Sequence, residues 1–79
     1  MKKDVVKFIE LYDCYGKLLT KKEQSYYQDY YEEDLSLGEI ADNNSVSRSA
    51  VQKTIKNLED KLLDYEEKIG MLKLKKTLN

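Results

Sequence analysis

The chain has no histidine, no proline, no tryptophan and a single cysteine, Cys14. Without histidine, a lone cysteine can build neither an intrachain disulfide nor a Cys/His metal site, and no Ser/His/Asp or Cys/His catalytic set exists. The few glycines form no phosphate-cradling loop. No run of strictly apolar residues exceeds two, which excludes a membrane span and a signal-peptide core. These absences lead to an expectation of a cytoplasmic protein with no cofactor, no metal, no membrane contact and no small-molecule substrate. It is not an enzyme on this reading, so its work is to bind another macromolecule.

What is present points to helices. Charged residues make up 37% and hydrophobic residues 41% of the chain, and without proline nothing interrupts long helical stretches. At 79 residues one domain is the limit, and a core this small often gains stability from a second subunit. The net charge of −1 argues against binding nucleic acid by bulk positive charge. The charge is uneven, however. Glu32, Glu33, Asp34, Glu39 and Asp42 stand in a stretch without a base, and Arg48, Lys53 and Lys56 follow in one without an acid.

Val5, Phe8, Ile9, Leu11, Tyr12 and Tyr15 recur at three and four, predicting a helix over 4–15 with Gly16 as its left-handed terminator. Thr20 with Glu23 has capping-box spacing and predicts a helix over 20–33, in which Tyr26, Tyr27, Tyr30 and Tyr31 form two i, i+4 columns. Ser36 with Glu39 repeats the box ahead of Ile40 and Ala41 and predicts a short helix over 36–43. Asn43, Asn44, Ser45 and Val46 favour a turn, and Ser47 can cap a helix over 47–69, about 33 Å long at 1.5 Å per residue. Its apolar positions Val51, Ile55, Leu58, Leu62, Tyr65, Ile69 and Leu72 form a heptad seam. The distal half of that seam, Leu58, Leu62, Tyr65 and Ile69, is covered either by folding back under the first helix or by a second chain. Gly70 ends the helix, leaving a basic tail over 70–79 with Lys73, Lys75 and Lys76.

The third helix, the turn and the fourth helix make a helix-turn-helix, whose second helix fits a major groove about 12 Å wide. Ile40, Val46, Val51 and Ile55 are apolar where the two helices meet, Ala41 is small at their closest approach, and Thr54 is compact. The turn lacks the usual glycine. Ser45 stands there, a strain of about 1 to 2 kcal/mol unless Asn44 takes the left-handed position. Ser47, Arg48, Ser49, Gln52, Lys53 and Lys56 are the candidate contact residues. Arg pairs bidentately with guanine and Gln with adenine, while Lys and the Ser47 backbone N–H suit phosphate. The alternative is an ordinary solvated helix face. Tyrosines at helical spacing read as core rather than as stacking platforms for RNA, and the acids as loop and capping residues without EF-hand spacing.

The run Leu11-Tyr12-Asp13-Cys14-Tyr15-Gly16-Lys17-Leu18-Leu19-Thr20-Lys21, the block from Tyr30 to Ala41 and the segment Val46-Ser47-Arg48-Ser49-Ala50-Val51 resemble the bacterial YlxM family of helix-turn-helix proteins. The likeness continues through Leu58-Glu59 and Tyr65-Glu66-Glu67-Lys68-Ile69-Gly70. In its last two helices the family is similar to the promoter-reading fourth region of sigma factors. The resemblance implies a regulatory role tied to the signal recognition particle, through gene neighbourhood with the particle's GTPase and receptor. The chain departs from the family at Asn44 and Ser45, where an apolar residue and a glycine are usual, and it is shorter at its C-terminus.

Three functions compete. One is a regulator binding the particle's RNA or its GTPase through the Arg48 face, as a homodimer. Another is a DNA-binding transcriptional regulator, with two recognition helices about 34 Å apart. The third is a coiled-coil adaptor in which only the Leu58, Leu62, Tyr65 and Ile69 seam matters.

Overall fold

The computed structural model describes residues 4–78, and every described regular element is helical: α1 (Val5–Tyr15), α2 (Lys21–Tyr27), α3 (Leu37–Asn44), α4 (Arg48–Ile69) and α5 (Met71–Leu78). A short 3-10 turn, Gly16–Leu18, follows α1, and a π turn, Gln28–Glu32, continues α2. The all-α expectation therefore holds. α1 buries Phe8, Leu11 and Tyr15 on one side, as their spacing requires. Asp4 stands outside it, with φ 52.

Gly16 is not a left-handed terminator. It has φ −55 and carries the chain into the 3-10 turn. Its need for glycine is steric, because an added Cβ would lie 2.9 Å from the Tyr12 ring. That ring is fixed by stacking on Tyr27, with centroids 3.7 Å apart and planes within 4°. Tyr27 stacks in turn on Tyr31 at 5.1 Å, and Phe8 and Tyr30 lean on Tyr31. Such ring pairs each add about 0.5 to 1.5 kcal/mol beyond area burial. Burial, with Glu32 and Asp13 nearby, pushes the Tyr27 hydroxyl up to about 12.

Both capping boxes form, Thr20 with Glu23 and Ser36 with Glu39. The single helix expected over 20–33 instead widens after Tyr27, where the Glu33 amide reaches back to the Gln28 carbonyl. Glu23 has a second task. It is buried and meets the Lys61 ammonium of α4 at 2.8 Å. Desolvation opposes its ionisation, yet Lys61 and the Thr20 amide outweigh it and hold the carboxyl below the usual range.

Ser45 does take the left-handed position, φ 55, and Asn44 does not. The amides of Val46 and Ser45 return to the carbonyls of Ala41 and Asp42 at 3.1 and 3.4 Å, a complete Schellman closure. The Asn44 side-chain amide donates to the Ile40 carbonyl at 2.7 Å, so the polar residue in place of an apolar one closes the helix end. Val46 is 39% exposed, and Ile40, Ala41, Val51 and Ile55 seal the helix junction without it. Replacing Ser45 with glycine is expected to stabilise the fold by about 0.5 to 1 kcal/mol, net of glycine's greater unfolded-state entropy. Thermal denaturation checks it, since the melting point should rise by about 2 to 8 °C. A fall would contradict the strain.

α4 crosses the bundle and inserts Val51, Ile55, Leu58 and Leu62 into the core it shares with α1, α2 and α3. Gly70, at φ 71, ends it as expected. The basic tail expected after it is a helix. Eight residues are too few to be helical alone, and partners from elsewhere in the fold supply what is missing. The Glu66 carboxylate accepts the amides of Leu72 and Lys73 at 3.0 and 3.1 Å. The Tyr15 hydroxyl accepts the Met71 amide at 2.8 Å and donates to Glu66 at 2.5 Å. That hydroxyl bond, against some desolvation, holds the Glu66 carboxyl below the usual range, while burial and Glu66 raise Tyr15. Leu72 then packs on the core, and Lys76 meets Glu10 of α1 at 3.1 Å.

Candidate nucleic-acid interface

Ser47 opens α4 by accepting the Ala50 amide at 3.1 Å on its side-chain oxygen. The first turn that follows carries no acid. Ser47, Arg48, Ser49, Gln52, Lys53 and Lys56 are all exposed, and Val51 and Ile55 on the other side are buried. The Thr54 hydroxyl donates to the Ala50 carbonyl at 3.1 Å, so that residue is satisfied inside its own helix.

The exposed residues span a broad arc of α4, with Arg48 at one edge, about 40° from Gln52, and Lys53 at the other. A helix turns 100° per residue, which sets Arg48 about 140° from Lys53, whereas Ser49, Lys53 and Lys56 fall within about 60° of each other. Accordingly Ser49, Gln52, Lys53 and Lys56 line one shallow depression. Arg48 instead lines a groove with Tyr30, Asp34, Leu37 and Glu39, at the junction of the π turn, α3 and α4. Arg48 thus shares this groove with two acids, Asp34 and Glu39.

Two residues of the outward face escaped the sequence reading, Asn57 and Asp60, which line the same depression. The signal was present in the spacing, since they lie four and seven positions after Lys53. Asn57 offers the donor and acceptor that suit adenine. Asp60 approaches Lys56 to 3.7 Å. Both side chains are more than half exposed, so this pair is worth at most about 0.5 kcal/mol and leaves Lys56 able to exchange Asp60 for a phosphate.

The seam residues have separate fates. Leu58 and Leu62 are fully buried within the single chain. Tyr65 is half-buried, its ring 6.0 Å from that of Tyr15 and its hydroxyl 3.5 Å from the Leu18 carbonyl. Ile69 is 54% exposed. Among the described residues, no group of three His, Cys, Asp or Glu side chains gathers where a metal ion could be held, and no helix is long and apolar enough to cross a membrane.

Comparison with known proteins places these features in a lineage. The profile of the family described as "UPF0122: Putative helix-turn-helix protein, YlxM / p13 like" matches residues 2–79. A UPF0122 protein of Desulforamulus reducens is 52% identical over 62 residues, covering 78% of this chain and 53% of the relative. One of Listeria welshimeri is 52% identical over 63 residues, covering 80% of this chain and 57% of the relative. A Fusobacterium nucleatum relative is 41% identical over 75 residues, covering 95% of this chain and 73% of its own. The chain thus spans about half the length of the Desulforamulus and Listeria relatives it matches.

Proposed function

From the premise that the chain belongs to the YlxM / p13-like helix-turn-helix family, we propose that it is a regulatory protein that binds nucleic acid through the outward face of α4. The observation that carries this reading is the clustering of Ser49, Gln52, Lys53, Lys56 and Asn57 on the exposed side of the second helix of the motif. Lysines hold phosphates and the amides read base edges. The molecule's net charge of −1 makes the contact local, so affinity rests on few phosphates and falls within reach of moderate salt.

The test is fluorescence anisotropy across a salt series, with a mixed-sequence DNA duplex and signal recognition particle RNA as probes. The RNA is included because the family resemblance leads to that particle. Lys53 and Lys56 together set the expected log-log slope on duplex DNA near about −1.8, and Arg48, were it to swing out of its groove, would steepen it to about −2.7. Preference for the RNA makes the chain a particle-linked regulator, and preference for the duplex a transcriptional one. No binding of either probe at low salt overturns the proposal. A second reading, docking on the particle's GTPase, has its own support in the groove where Arg48 lies beside Asp34 and Glu39, a mixed-charge surface better matched to a protein than to phosphate.

A further inference from the structure

The outward face of α4 changes sign part-way along its length. At 100° per residue, Ser49, Lys53, Lys56, Asp60, Asp64 and Glu67 all fall within a stripe about 80° wide, and all six are exposed. The bases stand in its first half and the acids in its second, so a polyanion laid along the stripe is attracted at one end and repelled at the other. Asp60 marks the boundary, and its setting differs from that of the acids beyond it. It lines the same depression as Ser49, Gln52, Lys53, Lys56 and Asn57, and its carboxylate lies 3.7 Å from the Lys56 ammonium. Asp64, one turn on, is not part of that lining and faces Lys68 instead, at 3.0 Å.

The Asp60 carboxylate meets Lys56 as a phosphate oxygen would, an anionic acceptor beside an ammonium donor. Between side chains 75% and 59% exposed, the pair is loose enough to open. Opening it does not remove Asp60, whose charge stays beside any phosphate that takes its place. Given the reading of α4 as the nucleic-acid face, on which this inference rests, we propose that Asp60 is an internal competitor for phosphate at Lys56 and so a specificity-determining residue. It lowers the hold of the face on the phosphate backbone, which every sequence shares, and leaves the base-edge contacts of Gln52 and Asn57 a larger share of the binding. It also sets where contact ends, since beyond it the stripe continues along α4 only in acids, Asp64 and Glu67.

The experiment compares the full chain with Asp60→Asn and with Asp64→Asn, by fluorescence anisotropy on a mixed-sequence DNA duplex across a salt series. Both substitutions change the net charge equally, and both fall on exposed positions of α4. Asp60→Asn is expected to raise affinity by about threefold to tenfold at low salt, the gain fading as salt screens the charge. Asp64→Asn should gain less than about twofold, being one turn farther from Lys56. In a Lys56→Ala background the Asp60→Asn gain should also fall below about twofold, because the lysine that the carboxylate occupies is gone. Equal gains from Asp60→Asn and Asp64→Asn would reduce the effect to net charge and overturn the inference. So would a gain that persists undiminished beside Lys56→Ala. Binding that Asp60→Asn leaves unchanged overturns it too, with α4 still the nucleic-acid face. No binding by any of these proteins at low salt removes the reading of α4 itself, a distinguishable result.

Discussion

Leu62→Asp is expected to leave the chain largely unfolded at 25 °C, with its circular dichroism signal at 222 nm collapsed and no cooperative melt. Leu62 is fully buried under α1 and α2. Truncating a buried leucine alone costs about 2 to 5 kcal/mol, and an unpaired carboxylate adds several more or must remain protonated. A folded chain of 79 residues has roughly 4 to 12 kcal/mol in total, so the loss is of the same size as the whole stability. The neighbouring substitution Leu63→Asp is the control, because Leu63 is 37% exposed and its change should cost about 1 to 2 kcal/mol and leave a cooperative melt. A Leu62→Asp chain that remains helical and merely changes its mass would mean that the seam faces a partner subunit rather than this chain's own core.

The second large effect is expected on binding. Lys53→Glu with Lys56→Glu should weaken affinity for the preferred nucleic-acid probe by about 100-fold or more at low salt and remove most of the salt slope, since two phosphate contacts become two repulsions. Both residues are exposed and the Lys56–Asp60 pair is weak, so the melting point should hardly move. Arg48→Ala makes the informative contrast. At the edge of the face, where it shares a groove with Asp34 and Glu39, Arg48 should matter less than about tenfold for nucleic acid. Anisotropy titrations of the three proteins at one salt concentration decide it. If Arg48→Ala costs more than the double reversal, the recognition surface runs along the groove and not along the outward face of α4.

The legibility of this fold and of its candidate site divides along physical lines. Capping boxes, heptad spacing and the Gly70 stop act through near neighbours in the chain, and the periodicity of α1 and α4 is a local record of which side must leave water. Helices α1, α3 and α4, the start of α2, the helix-turn-helix and most of the exposed residues at the start of α4 were therefore legible in the sequence. The steric task of Gly16 was not, because it depends on where Tyr12 is held by Tyr27, fifteen positions away. Nor was α5, whose first turn exists because Glu66 and Tyr15 supply acceptors that residues 70–79 do not contain. The split of Arg48 from Lys53 follows from helix geometry, yet what Arg48 meets there depends on the π turn and the start of α3. Burial of Leu58 and Leu62 was likewise decided by tertiary structure, since a heptad seam is satisfied equally by its own chain or another. Only the arrangement of α1 and α2 over α4 makes that choice.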